Sequence, residues 1–177
     1  MIRQRPGRAI GVAVAAAACT VSLAACNGPS AAQSATSLLN AGIAAQNSGD
    51  NGTASKDYNA VLAIQPKNIY ALFNLGDVAQ YMGKNTAARS YYFHVLAIDP
   101  NYEPALYNLA TLEAASNPSV AKSMYLQIIR LSPRDADAHF NLGYVLISLG
   151  ERAAGKAQLK IAVRLDPRLK AREKGIH

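Results

Sequence analysis

Four prolines set the scale of this chain. Pro66, Pro100, Pro133 and Pro167 follow one another at spacings of 34, 33 and 34 residues. A fixed period of this length means stacked copies of one small unit, none of which can hide its apolar face alone. Each proline follows an apolar residue two places earlier: Ile64, Ile98, Leu131 and Leu165. Other columns keep the same register. An early position holds Leu38, Leu72, Leu106 and His139, and three residues on stand Ala41, Leu75, Leu109 and Leu142. Small residues come next: Gly42, Gly76, Ala110 and Gly143. The second half of each unit aligns Ala54, Ala88, Ala121 and Gly155, then Tyr58, Tyr92, Tyr125 and Leu159, then Val61, Val95, Ile128 and Ala162. The phrase Phe-Asn-Leu-Gly therefore appears at 73–76 and again at 140–143, two units apart.

Within a unit the spacing is helical. Leu72, Leu75, Gly76 and Ala79 fall at i, i+3, i+4 and i+7, one face of an α-helix. Small residues at the Gly76 and Ala88 positions let two helices approach, and Tyr92 and Val95 fill the space beyond them. Tryptophan is absent and phenylalanine scarce, so Tyr, Leu and Ala must make the core. Gly49, Gly83 and Gly150 stand where a first helix must end, because glycine accepts the left-handed conformation cheaply. Asn117 takes that place in the third unit, and Pro118 then opens the next helix. This turn is one residue shorter, which accounts for the 33-residue spacing. The pattern predicts helices over 35–48, 52–64, 69–82, 86–98, 103–116, 119–131, 136–149 and 152–165, with a short ninth over 168–174.

The columns resemble the tetratricopeptide repeat (TPR), a helix–turn–helix unit, over residues 35–168. The resemblance implies an all-α, right-handed TPR superhelix of four repeats, 35–68, 69–102, 103–135 and 136–169, with a concave binding face. Three departures carry expectations. His139 replaces a large apolar residue and should be a partly exposed packing side chain. The first unit is polar and glycine-rich over 48–52 and should fray. No long capping helix follows Pro167, so the last unit should be open on one side.

Before the repeats lies an address. Arg3, Arg5 and Arg8 precede residues 9–25, which carry no charge. A basic start and a short apolar stretch read as a secretory signal rather than a stable span. The stretch ends in Leu23-Ala24-Ala25-Cys26, which resembles a bacterial lipoprotein signal. That resemblance implies a signal peptide over 1–25, a lipid on Cys26 and an extracytoplasmic protein anchored to a membrane, inner or outer left open. A plain secretory signal or an uncleaved anchor are the alternatives. Residues 26–34 then form a polar tether. Cys19 and Cys26 are the chain's two cysteines, so no disulfide framework holds the repeats.

One asparagine recurs in every unit: Asn40, Asn74, Asn108 and Asn141. Asparagine is a poor helix former, so four in register call for a reason. The TPR resemblance implies a groove in which these carboxamides clamp the backbone of an extended peptide, each able to donate and accept. Bonding to a neighbouring helix is the equal alternative. Leu39, Phe73, Tyr107 and Phe140, then Ile43, Asp77, Thr111 and Tyr144, should line the same face, with Tyr70 and Tyr81, making it apolar and tyrosine-rich. Relatives that hold a terminal carboxylate use Lys and Arg there; here those positions are not basic, so no such clamp is expected.

The chain carries 18 Lys and Arg against 11 Asp and Glu. Once the first three arginines are removed the excess is too mild to indicate nucleic acid. The excess gathers in residues 151–177, where Lys156, Lys160 and Arg164 make one helical stripe continued by Arg168. It reads as a solvated end, or as a contact for anionic lipid or polymer. No HExxH, GxSxG or phosphate loop occurs, and His94, His139 and His177 have no metal spacing. The expectation is therefore not an enzyme and no cofactor. It is a membrane-anchored scaffold for a protein or peptide partner in the cell envelope, with self-association or surface binding by the basic end as the alternative.

Overall fold

The computed structural model describes residues 30–172. The signal segment with Cys26 and the last five residues lie outside the described part. Eight α-helices follow in order: α1 Ala31–Asn47, α2 Asn51–Ile64, α3 Ile69–Tyr81, α4 Asn85–Ile98, α5 Glu103–Glu113, α6 Pro118–Leu131, α7 Ala136–Ser148 and α8 Arg152–Leu165. A 3-10 turn, Pro167–Ala171, ends the described chain. Among the described residues there is no strand, and no helix is long and apolar enough to cross a membrane.

The helices pair as four helix–turn–helix repeats, α1/α2, α3/α4, α5/α6 and α7/α8. Odd-numbered helices are A helices and even-numbered ones B helices. Three of the four core clusters join the B helix of one repeat to the A helix of the next. Tyr58 and Val61 of α2 pack with Ala71, Leu75 and Val78 of α3. Tyr92 and Val95 of α4 pack with Ala105 and Leu109 of α5. Tyr125 and Ile128 of α6 pack with Ala138, Leu142 and Leu146 of α7. Full burial of one large apolar side chain is worth about 1.5–3 kcal/mol, and here it is reached only when the neighbouring repeat is present.

Glycine and tyrosine share one contact. A Cβ at Gly76 would stand 2.5 Å from Cε1 of Tyr92, and one at Gly42 would stand 2.7 Å from Cε1 of Tyr58. The missing Cβ lets each ring cross the A helix in front of it. The turn glycines Gly49, Gly83 and Gly150 have φ of 83°, 71° and 81°, the left-handed conformation the sequence called for.

Four expectations are corrected. Asn117 has φ −138° and is the N-cap of α6, not a left-handed C′ residue. The shorter turn is closed instead by Glu113, which is buried, accepts from the Asn117 amide and pairs with Arg89 Nε at 2.6 Å. Arg89 Nη2 also donates to Ser116 Oγ at 2.9 Å, so α4 is tied across to the α5–α6 turn. In the first unit both helices are formed and capped. Asp50 Oδ1 accepts from Thr53 N at 3.0 Å at the start of α2, and α1 begins at Ala31, inside the expected tether, with a capping box between Ser30 and Gln33. His139 is buried, with Nδ1 2.6 Å from Gln158 Oε1 and Nε2 3.2 Å from the Pro133 carbonyl. The last repeat is not open on the side where the 3-10 turn lies: Leu169 packs against Phe140, Leu159 and Ala162.

Candidate functional site

The crossing tyrosines deliver hydroxyls to the face formed by the A helices. Tyr58 Oη donates to Gln46 Oε1 at 2.6 Å. Tyr92 Oη lies 2.8 Å from both Asp77 Oδ1 and Gln80 Oε1. Asn108 Nδ2 donates to the same Asp77 Oδ1 at 2.7 Å. Tyr125 Oη meets Thr111 Oγ1 at 3.0 Å, and Asn141 Nδ2 donates to Tyr107 Oη at 2.6 Å. Burial, with the nearby charges of Asp77 and Asp57, pushes the Tyr58 phenol up to about 12. Burial and the Asp77 carboxylate push Tyr92 up as well. Burial, then the charge of Asp137, brings Tyr107 to about 12. These hydroxyls therefore stay protonated donors throughout the physiological range. Burial also raises the Asp77 carboxyl above its ordinary value, opposed by the hydrogen bonds from Tyr92 and Asn108.

Around this network lies a hollow of about 920 Å³, lined by Gln46, Asn47, Asp77, Gln80, Tyr81 and Asn108 among others. It spans the first three repeats. Its walls are mostly carboxamides, a carboxylate and a tyrosine, so this part of the face is polar rather than apolar as the sequence had suggested.

The four ladder asparagines do not share one environment. Asn108 and Asn141 are bonded across repeats, to Asp77 and to Tyr107. Asn74 is half-buried and Asn40 exposed, and neither amide has a hydrogen bond among the described residues. The cause lies one repeat upstream. Asn108 finds Asp77, whereas the position matching Asp77 in the first repeat is Ile43, which offers Asn74 nothing. Phe73 is half-buried against Tyr92 and Tyr102, with ring centroids 5.8 and 5.5 Å away. Tyr107 packs edge-on to Tyr125 at 5.9 Å. Tyr70 and Tyr81 are exposed.

At the fourth repeat the expectation is corrected. Phe140 is only 3% exposed, covered by Leu169 and by the guanidinium of Arg172, whose Cζ sits 4.8 Å from its ring centroid. Tyr144 Oη donates to the Arg172 carbonyl at 3.0 Å. Phe140 is a core residue here, and Tyr144 faces the chain's own terminal turn. On the basic surface Lys156, Lys160 and Arg164 are exposed and make no ion pair among the described residues. Arg168 differs: its guanidinium is held by Asp166, with Nη2 2.9 Å from Oδ2.

Sequence reasoning missed Gln46 and Gln80, although their own spacing of one repeat was a signal. It placed Tyr58, Tyr92 and Tyr125 correctly as packing but did not see where their hydroxyls emerge. Among the described residues no group of three or more His, Cys, Asp or Glu is placed to hold a metal ion.

Family models described as tetratricopeptide repeat match residues 69–102 and 124–158. The chain contains tetratricopeptide repeats. Its fold is similar to that of MamA from Desulfovibrio magneticus, at 20% identity over 76% of each chain with a TM-score of 0.71. A Pseudomonas aeruginosa PilF structure matches at 21% identity, covering 77% of this TPR chain and 63% of that one, with a TM-score of 0.67. A Thermobaculum terrenum O-GlcNAc transferase matches at 27% identity and a TM-score of 0.59, over 67% of this chain and 23% of the enzyme. No curated protein matches the sequence.

Proposed function

We propose that this TPR protein is a lipid-anchored scaffold of the bacterial cell envelope that holds an extended segment of a protein partner along its A-helix face. The single observation that carries the groove reading is the state of Asn74. Its carboxamide is half-buried on that face without a hydrogen bond among the described residues, while its counterparts Asn108 and Asn141 are engaged. A side-chain amide that can both donate and accept fits one peptide unit of an extended strand. Tyr81, 82% exposed at the rim of the hollow, supplies an aromatic anchor of the kind that dominates binding energy.

A photoreactive residue at Tyr81 should crosslink a defined partner, and one at Phe93, exposed on α4, should not. Asn74→Ala should abolish the Tyr81 adduct with helicity unchanged. Equal yields from both positions, or an adduct indifferent to Asn74, remove the groove from the account. The anchor rests on the sequence alone. Radiolabelled fatty acid should enter the wild type and not Cys26→Ser, and an unlabelled secreted wild type would reject it.

A second reading is favoured by α8, where Lys156, Lys160 and Arg164 stand exposed at successive helical turns. Each basic group near an anionic surface is worth about 1 kcal/mol. Binding to vesicles containing anionic lipid that disappears at high salt would support this reading; binding that survives salt would not.

A further inference from the structure

Charge is sorted by helix type. The A helices α1, α3, α5 and α7 contain no lysine or arginine. The B helices carry one on α2, one on α4, two on α6 and four on α8, against a single acid, Asp57. The A helices hold four carboxylates; among the described residues two pair with a cation and two have only neutral donors. Glu113 pairs with Arg89, Asp137 with Arg172, and Glu103 Oε2 accepts from Ser132 Oγ at 2.8 Å. Asp77 is the fourth. Its Oδ1 is held by Tyr92 and Asn108, its Oδ2 has no donor, and no cation pairs with it among the described residues. It sits in the wall of the hollow beside the acceptors Gln46 Oε1 and Gln80 Oε1, with Tyr81 at the rim.

The chain also displays what such a face accepts. On the fourth repeat the guanidinium of Arg172 lies over the Phe140 ring, with Nη1 3.3 Å from Asp137 Oδ1. An aromatic ring and an aspartate on one A helix thus seat an arginine. The second repeat places Asp77 one helical turn before Tyr81 in the wall of the hollow, and no cation among the described residues pairs with it.

We propose that the hollow around Asp77 is a subsite for an arginine side chain of the bound segment. The inference rests on the groove reading above and adds the chemistry of the partner. A guanidinium suits the site better than an ammonium. It carries five donors in a plane for a carboxylate oxygen and two carboxamide oxygens, and its flat face can stack on Tyr81. Because Tyr92 and Asn108 hold Oδ1, the free Oδ2 keeps a fixed position and the site is ordered before the ligand arrives.

The test uses the full-length chain in detergent and two capped peptides that differ at one central residue, arginine or its neutral isostere citrulline. The arginine peptide should shift the side-chain amide resonances of Asn108 and Gln80 and bind roughly 10-fold more tightly or better, as charge-assisted hydrogen bonds allow. Asp77→Asn should erase that difference. Equal affinity of the two peptides for the wild type overturns the subsite while leaving the groove. A preference that persists in Asp77→Asn also overturns it. If neither peptide moves any resonance on the A-helix face, the groove reading falls and the subsite with it. The comparison of the two peptides on the wild type decides the matter even where the variant folds poorly.

Discussion

The second and fourth repeats carry the same four residues, Phe-Asn-Leu-Gly, and put them to different use. Leu75 and Leu142 are buried alike, and Gly76 and Gly143 each leave room for a side chain from the B helix. There the likeness ends. In the second repeat Tyr92 crosses Gly76 and brings a hydroxyl to Asp77; in the fourth Leu159 crosses Gly143 and brings none. Phe73 stays half-buried against Tyr92 and Tyr102, whereas Phe140 is sealed under Leu169 and Arg172. The leucine and glycine of the phrase encode packing. What the face can bind is decided by residues outside the phrase: the B-helix aromatic, the side chain at the Asp77 position, and whatever repeat comes next.

The comparison is most easily broken at the two phenylalanines. Phe140→Ala should cost about 3 kcal/mol in urea unfolding, the usual loss for emptying a buried aromatic site. Phe73→Ala should cost roughly half of that, since part of its ring is already exposed. Equal losses would mean that the terminal turn does not cover Phe140 in solution. A smaller effect separates the crossing residues. Tyr92→Phe keeps the ring but removes the one phenol proton that lies between the Asp77 and Gln80 acceptors, and should cost about 1.5 kcal/mol. A neutral result would make Tyr92 equivalent to Leu159.

The smallest effect has the opposite sign. Burial raises the folded-state pKa of Asp77 above its value in the unfolded chain. The carboxyl is therefore least costly below the unfolded pKa of about 3.9, where it is protonated in both states. Stability is lost as pH rises through the folded-state pKa. Asp77→Asn has no such ionisation. It should match the wild type in acid and exceed it near neutrality by a few tenths of a kcal/mol, because the carboxyl is partly solvated. Thermal melts at pH 3 and pH 7 would detect this; a variant less stable at pH 7 would place Asp77 among the stabilising residues. A residue that lowers stability while organising a face is what a binding site often contains.

The fold was legible because its determinants are local and repeated. Proline, glycine and the small-residue columns each report a backbone event within a few residues of themselves. Asn117 misled for the same reason. Its turn is closed by Glu113 and Arg89, and Arg89 belongs to the preceding repeat, so a pattern built on one unit could not find it. The cover over Phe140 was hidden likewise: a short ninth helix was expected over 168–174, but no repeat column marks Leu169 as its buried residue, and Leu169 looked like part of a basic tail. Asp77 was recognised as a face residue from its position alone. Its two donors arrive from α4 and α5, and Tyr92 had already been assigned to packing, so the second role of that side chain was not visible.

The chain has nine tyrosines and no tryptophan. Tyr81 stands at the mouth of the hollow, and the hydroxyls of Tyr58 and Tyr92 bond to the glutamines and the aspartate of its wall. Its ultraviolet emission comes from phenols alone, with no indole to drown them. The protein is thus its own optical probe: occupancy of the hollow can be followed in unlabelled material by the intensity of that emission.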